Sequence, residues 1–132
     1  MRITTSGIAC RNGTYLLALR KAGSSIGESW EFPGGKHRSS TETPEETLQR
    51  EFTEELGVPV RVGELIMTNA FSNNGKTYRL QAYRIELEEE NFQLTEHQRT
   101  AWFTPEEIVR LPLADSDRAV AEYLAKSQSR KE

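Results

Sequence analysis

The stretch GKHRSSTETPEETLQREFTEELGV, residues 35–58, decides how the rest of this 132-residue chain is read. Within it, Thr43-Pro44-Glu45-Glu46 has the form of a helix start. Threonine serves as N-cap, proline takes the first helical position, and a glutamate three residues after the cap closes a capping box. Gly57 supplies the stop, with Pro59 just beyond it. Between these signals Leu48, Phe52 and Leu56 recur every four residues and form a stripe that faces a core. Beside the stripe stand Glu51, Glu54 and Glu55, three carboxylates within five residues. On a helix their Cβ atoms lie about 5–6 Å apart, and like charges at that spacing weaken a helix by roughly 0.2–0.5 kcal/mol per pair. A hard divalent cation held between the side chains makes sense of such a cluster.

Outward from this helix the chain reads as strands. Asn12-Gly13 separates strand-like runs at 3–11 and 14–20, and Asn74-Gly75 joins 61–72 to 77–87. Both dipeptides suit a type I′ hairpin turn, because both residues tolerate positive φ. Residues 101–104 predict one more short strand, and Thr104-Pro105-Glu106-Glu107 repeats the capping pattern ahead of a short helix. A third helix is expected over about 117–126, with Ala119, Val120, Tyr123 and Leu124 inward. Runs of strands with few helices predict a single α+β domain over 1–126, its helices flanking a mixed central sheet. The polar terminus, 127–132, reads as a disordered tail.

Composition narrows the function. The net charge of −3 gives no global attraction for a nucleic acid polymer or an anionic membrane, so an anionic ligand must be held locally. The expected partner is a small molecule, bound by a monomer or homodimer. No stretch approaches the ~20 apolar residues of a membrane span. No signal peptide is evident, and the single cysteine, Cys10, excludes an internal disulfide and suits a reducing cytosol. Cys10 itself reads as a small core residue of the first strand.

The segment Trp30-Glu31-Phe32-Pro33-Gly34-Gly35-Lys36 places a glycine turn ahead of the acidic helix, where backbone can approach a ligand closely. It is not a P-loop, since the glycine spacing and the Ser or Thr after Lys36 are missing, and no G-x-G-x-x-G exists in the chain. Two scattered histidines, His37 and His97, and one cysteine make a poor zinc set. Together these residues resemble the Nudix hydrolase family, with its signature G-x5-E-x7-R-E-U-x-E-E-x-G-U, where U is apolar. From Glu42 onward the match is complete, through Arg50, Glu51, Phe52, Glu54, Glu55, Gly57 and Val58. Six residues rather than five separate Gly35 from Glu42, which reads as a one-residue insertion within the polar loop 37–41. The likeness is strongest to MutT-like nucleoside triphosphate pyrophosphohydrolases, through residues 30–36 and 102–107.

That resemblance implies an α/β/α sandwich and a magnesium-dependent enzyme, with manganese as a substitute ion. It implies that Glu51, Glu54, Glu55 and the backbone oxygen of Gly35 hold the metal. Glu51 is also a potential base, and Glu96, six residues before Trp102, is either a further catalytic and metal-binding glutamate or a solvated loop residue. Arg50 and Glu42 are expected to pair and orient the catalytic helix. Arg20, Lys21 and Lys36 are expected at the substrate, although Arg20 and Lys21 also fit a solvated strand end. Phe32 and Trp30 either flank a base or pack in the core. Asp115 either reads a base as a hydrogen-bond acceptor, which suits a cytosine amino group, or caps a helix. Tyr78, Tyr83 and Trp102 read as packing residues. The implied reaction is cleavage of (deoxy)nucleoside triphosphates, oxidised or modified ones included, to monophosphate and pyrophosphate in a cytoplasmic clearing role. Dinucleoside polyphosphates or nucleotide sugars, and a non-catalytic nucleotide-binding module, are the alternatives.

Overall fold

The structure, a computed structural model, describes residues 2–21, 28–38 and 41–129, with side chains through 127. Its elements run β1 (Arg2–Arg11), β2 (Thr14–Arg20), β3 (Trp30–Glu31), β4 (Gly34–Lys36), α1 (Pro44–Leu56), β5 (Val60–Asn73), β6 (Lys76–Leu87), β7 (His97–Phe103), α2 (Pro105–Ile108) and α3 (Asp115–Ser129). Both hairpins turn where the sequence places them: Asn12 and Gly13, then Asn74 and Gly75, all have positive φ. The sheet order is β3-β2-β1-β6-β5, with β4 on β1 and β7 on β2. Strand β1 runs parallel to β6, whereas the other described strand pairs are antiparallel, so the sheet is mixed.

The central strands are covered on both faces, and this is what makes the sandwich. Adjacent residues point to opposite sides of a strand. Accordingly Ile8 and Leu17 join Val120, Ala121 and Leu124 of α3 in one apolar cluster. Their neighbours Ala9 and Leu16 join Leu48, Phe52 and Leu56 of α1 in the other. Helix α1 has the expected ends: Thr43 Oγ1 accepts from the Glu46 N–H at 3.1 Å, and Glu46 Oε1 accepts from the Thr43 N–H at 2.8 Å. Gly57 adopts the left-handed conformation at φ 69°. Phe52 packs so closely on β1 that a Cβ on Gly7 would stand 2.6 Å from its ring.

Several expectations are corrected. Strand β7 begins at His97 rather than 101, because pairing with β2 organises a polar run that has no strand pattern of its own. Helix α3 begins at Asp115 and runs to Ser129, beyond the expected start of the tail, while 130–132 lie outside the described residues. Its buried set is Asp117, Val120, Ala121 and Leu124, a clean i, i+3, i+4, i+7 stripe, and Tyr123 is 41% exposed. Cys10 is exposed, lying two residues before the solvent-facing hairpin turn. Trp102 is half-buried, with the Arg11 guanidinium over its ring.

Phe52→Ala should cost about 3–5 kcal/mol, since the ring is wholly buried between α1 and β1. The check is the shift of the urea-unfolding midpoint at unchanged slope.

Candidate active site

The turn that leads to α1 is held by sterics and pairing. Strand β4 pairs with β1, setting Gly35 opposite Thr5 and Gly34 opposite Ser6. A Cβ at Gly34 would lie 2.1 Å from the Thr5 carbonyl, and one at Gly35 would lie 2.4 Å from Glu51 Cδ. At Gly34 the clash is with backbone, so only glycine fits there, whereas a Cβ at Gly35 would displace the Glu51 carboxylate. The Gly35 carbonyl accepts a hydrogen bond from the Thr5 hydroxyl at 2.9 Å.

Arg50 ties the loop to the helix. Its Nε and Nη2 donate to the two oxygens of Glu42 at 2.8 and 3.1 Å. Its Nη1 donates to Glu51 at 2.8 Å and to Glu54 at 3.3 Å, and Nη2 also reaches the Lys36 carbonyl. The guanidinium and a hydrogen bond from Thr47 hold the Glu42 carboxyl down at about 2, and Glu42 and Glu51 in turn raise Arg50. His37 Nε2 donates to the Glu42 carbonyl, closing the loop from its other end. Residues 39 and 40 of the inserted segment lie outside the described residues.

Two cavities open on this scaffold. One, about 340 Å³, is lined by Glu51, Glu54, Glu55, Glu96, Gly35 and Arg20, with Lys36 and Arg38 at its edge. The other, about 550 Å³, carries Phe32, Tyr78, Phe71, Asp115 and Asp117. They meet across Arg20, Gly34, Gly35, Lys36 and Glu55, which line both. Of the residues singled out in the sequence, Lys21 lines neither cavity; it is exposed, and its backbone N–H donates to the Glu96 carbonyl. Arg20 is not a solvated strand end: its Nη1 pairs with Glu31 at 3.2 Å. Trp30 and Phe32 are core residues, and Phe32 also lines the larger cavity. Tyr78 is buried and stacks on Phe71, with the Lys36 ammonium over its ring. Asp115 stands at the cavity but does not cap α3. The Ala114 carbonyl accepts the Arg118 N–H, so Ala114 is the N-cap and Asp115 the first helical residue.

Three site residues escape a reading of the sequence. Glu31 sits on β3 between two buried aromatics, His97 opens β7, and Asp117 lies in the first turn of α3. The register places His97 opposite Arg20, and β3 pairs on the other side of β2, so Glu31, Arg20 and His97 converge. His97 Nε2 lies 2.7 Å from Glu31 Oε2 and 3.9 Å from Glu55 Oε1. The one local sign of Glu31 is an acid between two aromatics in an otherwise apolar segment. For His97 there is none.

Electrostatics set the character of both cavities. Burial, then Glu51 beside it, pushes Glu55 well above the usual carboxylate range, with Glu31 and Glu96 adding to the effect. Negative charge is thus crowded beyond what nearby cations neutralise. The donors are hard oxygens and one face is open to solvent, so the residues present fit a divalent cation such as magnesium. Asp117 is pushed up to about 8 by burial and by Glu31, against the Phe32 N–H that donates to it at 3.1 Å and the Arg20 charge.

A helix-borne carboxylate cluster beside a glycine turn is chemistry suited to a metal-assisted hydrolase, and the relatives carry hydrolase names. The NUDIX domain family matches residues 1–124, and the chain belongs to that family of hydrolases, which use divalent metal ions. It is 37% identical over 107 residues to the CTP pyrophosphohydrolase of Escherichia coli (strain K12), covering 81% of this chain and 78% of that one. It is 41% identical over 66 residues to an 8-oxo-dGTP diphosphatase of Proteus vulgaris, covering 49% and 58%. The solution structure of the Escherichia coli ORF135 protein superposes with a TM-score of 0.85 at 34% identity, covering 98% of this chain and 93% of that one. Among the described residues no helix is long and apolar enough to cross a membrane.

The Asp117 carboxyl gives a signed pH effect. An unfolded aspartate loses its proton near 3.8, whereas the folded one keeps it to about 8. The folded state therefore binds more protons through that window, and stability falls as pH rises from about 4 to about 8. Asp117→Asn keeps an acceptor for Phe32 and removes the titration. Its unfolding free energy, measured by urea titration at each half pH unit, should run flatter than wild type across this window.

Proposed function

We propose that this chain is a magnesium-dependent pyrophosphohydrolase of (deoxy)nucleoside triphosphates, and that a cytosine nucleotide is the preferred class. The carrying observation is the union of the two cavities: an acidic end and an aromatic, carboxylate-bearing end share one wall of Arg20, Gly34, Gly35, Lys36 and Glu55. A nucleotide needs such a site, with metal and cations for its phosphates and a planar, partly apolar slot for its base. The base end presents the exposed Asp115 carboxylate as an acceptor, and a cytosine N4 amino group donates to acceptors. The relative that hydrolyses CTP supports the same assignment.

Glu51, Glu54 and Glu55, with the Gly35 carbonyl, are the groups that would hold the metal. Once bound, divalent cations neutralise phosphate oxygens and lower the pKa of a bound water. Arg20 and Lys36 supply positive charge where the two cavities meet. Attack of water forms one P–O bond and breaks the bridging P–O bond of the anhydride, leaving a monophosphate and pyrophosphate. A carboxylate must take the proton of that water. Glu51 already accepts from Arg50 at 2.8 Å, which leaves Glu96, on the exposed wall, as the better base.

A panel of normal, oxidised and methylated triphosphates, scored by kcat/KM with magnesium, is the test. Cytosine nucleotides should lead, with pyrophosphate as product. Pretreatment with alkaline phosphatase should abolish the signal, because triphosphates carry a terminal phosphomonoester; resistance would turn the assignment to dinucleoside polyphosphates or nucleotide sugars. Glu54→Gln should lower kcat about 100-fold or more at unchanged circular dichroism. Unchanged pyrophosphate release in that variant would remove Glu54 from the metal site.

A further inference from the structure

His97 is among the largest fully buried side chains, yet it does not sit in an apolar cluster. Its Nε2 faces Glu31 Oε2 at 2.7 Å and Glu55 Oε1 at 3.9 Å, and one ligand atom from each of the three residues lies within 4.8 Å of the others. Glu55 is 6% exposed, and its Oε1 has no hydrogen-bond partner among the described residues. Here an unpaired, buried carboxylate oxygen points into a pocket that already holds an imidazole and a second carboxylate. Leaving such an oxygen without a partner is costly unless something positive meets it. Arg20 does not fill the role, since its Nη1 is committed to Glu31.

We propose that Glu31, Glu55 and His97 form a second metal site, on the inner side of Glu55, which takes a first-row transition ion through the imidazole nitrogen, Zn²⁺ more tightly than the harder Mn²⁺ that serves as its probe. It extends the metal reading of the active site, where Glu55 serves as an all-oxygen ligand, and makes Glu55 a bridge between two ions. Ligands at about 2.1 Å from one ion stand roughly 3–4 Å apart, so the Glu55–His97 pair already has that separation and the Glu31–His97 pair must open slightly. As the ion enters, the Nε2 proton that bridges to Glu31 leaves to solvent, and the ion takes its place. Arg20, paired with Glu31, then orients a ligating carboxylate from behind. Magnesium prefers oxygen donors, whereas imidazole favours the later ions, so the two sites differ in selectivity.

The chain has two histidines, which makes the test direct. In the tag-free His37→Gln variant, His97 is the sole imidazole, and pulsed EPR of bound Mn²⁺ should show its nitrogen coupling. Glu31→Gln should weaken the nitrogen-coupled Mn²⁺ by at least about tenfold, read by titration of that signal. Absence of nitrogen coupling at saturating Mn²⁺, or an unchanged titration in Glu31→Gln, would overturn the site and leave His97 as a hydrogen-bonding partner of Glu31. Nucleotide hydrolysis by the unsubstituted protein with magnesium alone is scored separately. Its absence would count against the proposed function, and the EPR result stands either way.

Discussion

Carboxylates repel one another, and this molecule gathers Glu51, Glu54, Glu55 and Glu96 around one cavity of about 340 Å³. Arg50 is the interaction that makes this tenable. One planar guanidinium bonds both oxygens of Glu42, reaches Glu51 and Glu54, and touches the Lys36 carbonyl. A lysine at that position would offer a point charge without the fork that spans two partners at once. The contact joins the loop before α1 to the middle of α1, so the glycine turn and the acid face are fixed relative to each other.

Rigidity for that arrangement comes from the sheet. Because β1 and β2 are buried on both faces, α1 and α3 clamp the same strands from opposite sides. The functional groups then sit on elements that have little freedom to shift. Phe52 pressed against Gly7 sets the height of α1 over β1, and β4, paired to β1, brings Gly35 to Glu51. The acid cluster is therefore held in place by apolar packing on the far side of its own helix.

The two cavities divide the chemistry. One end is anionic enough to need a cation, and the other presents aromatic rings with acceptor oxygens. The formal charge of −3 shows that any hold on a phosphate chain is local, through Arg20, Lys36 and bound metal, not through the field of the whole protein. Buried Asp117 adds a polar group to the wall of the aromatic end.

What depends on neighbours within about four residues was legible in advance: the capping box at Thr43, the left-handed stop at Gly57, both Asn-Gly turns, and the stripe of Leu48, Phe52 and Leu56. The Nudix resemblance added the box glutamates, and the structure brings Glu51, Glu54 and Glu55 to one cavity with Gly35, with Arg50 bonded to Glu51 and Glu54. Contacts made across the sheet were not legible. His97 carries no local pattern, and its strand exists because β2 offers partners for a polar run. Glu31 and Arg20 are eleven residues apart and meet through register. The sequence pattern turns Tyr123 inward because two apolar stripes of α3 fit the same period, and only the packing against Ile8 and Leu17 chooses between them. Helix, turns and acid motif follow from short-range hydrogen bonding and sterics. The second half of the site follows from tertiary structure: strand pairing brings Glu31 to His97, and the packing of α3 brings Asp117 to Phe32, joining residues that have no local reason to meet.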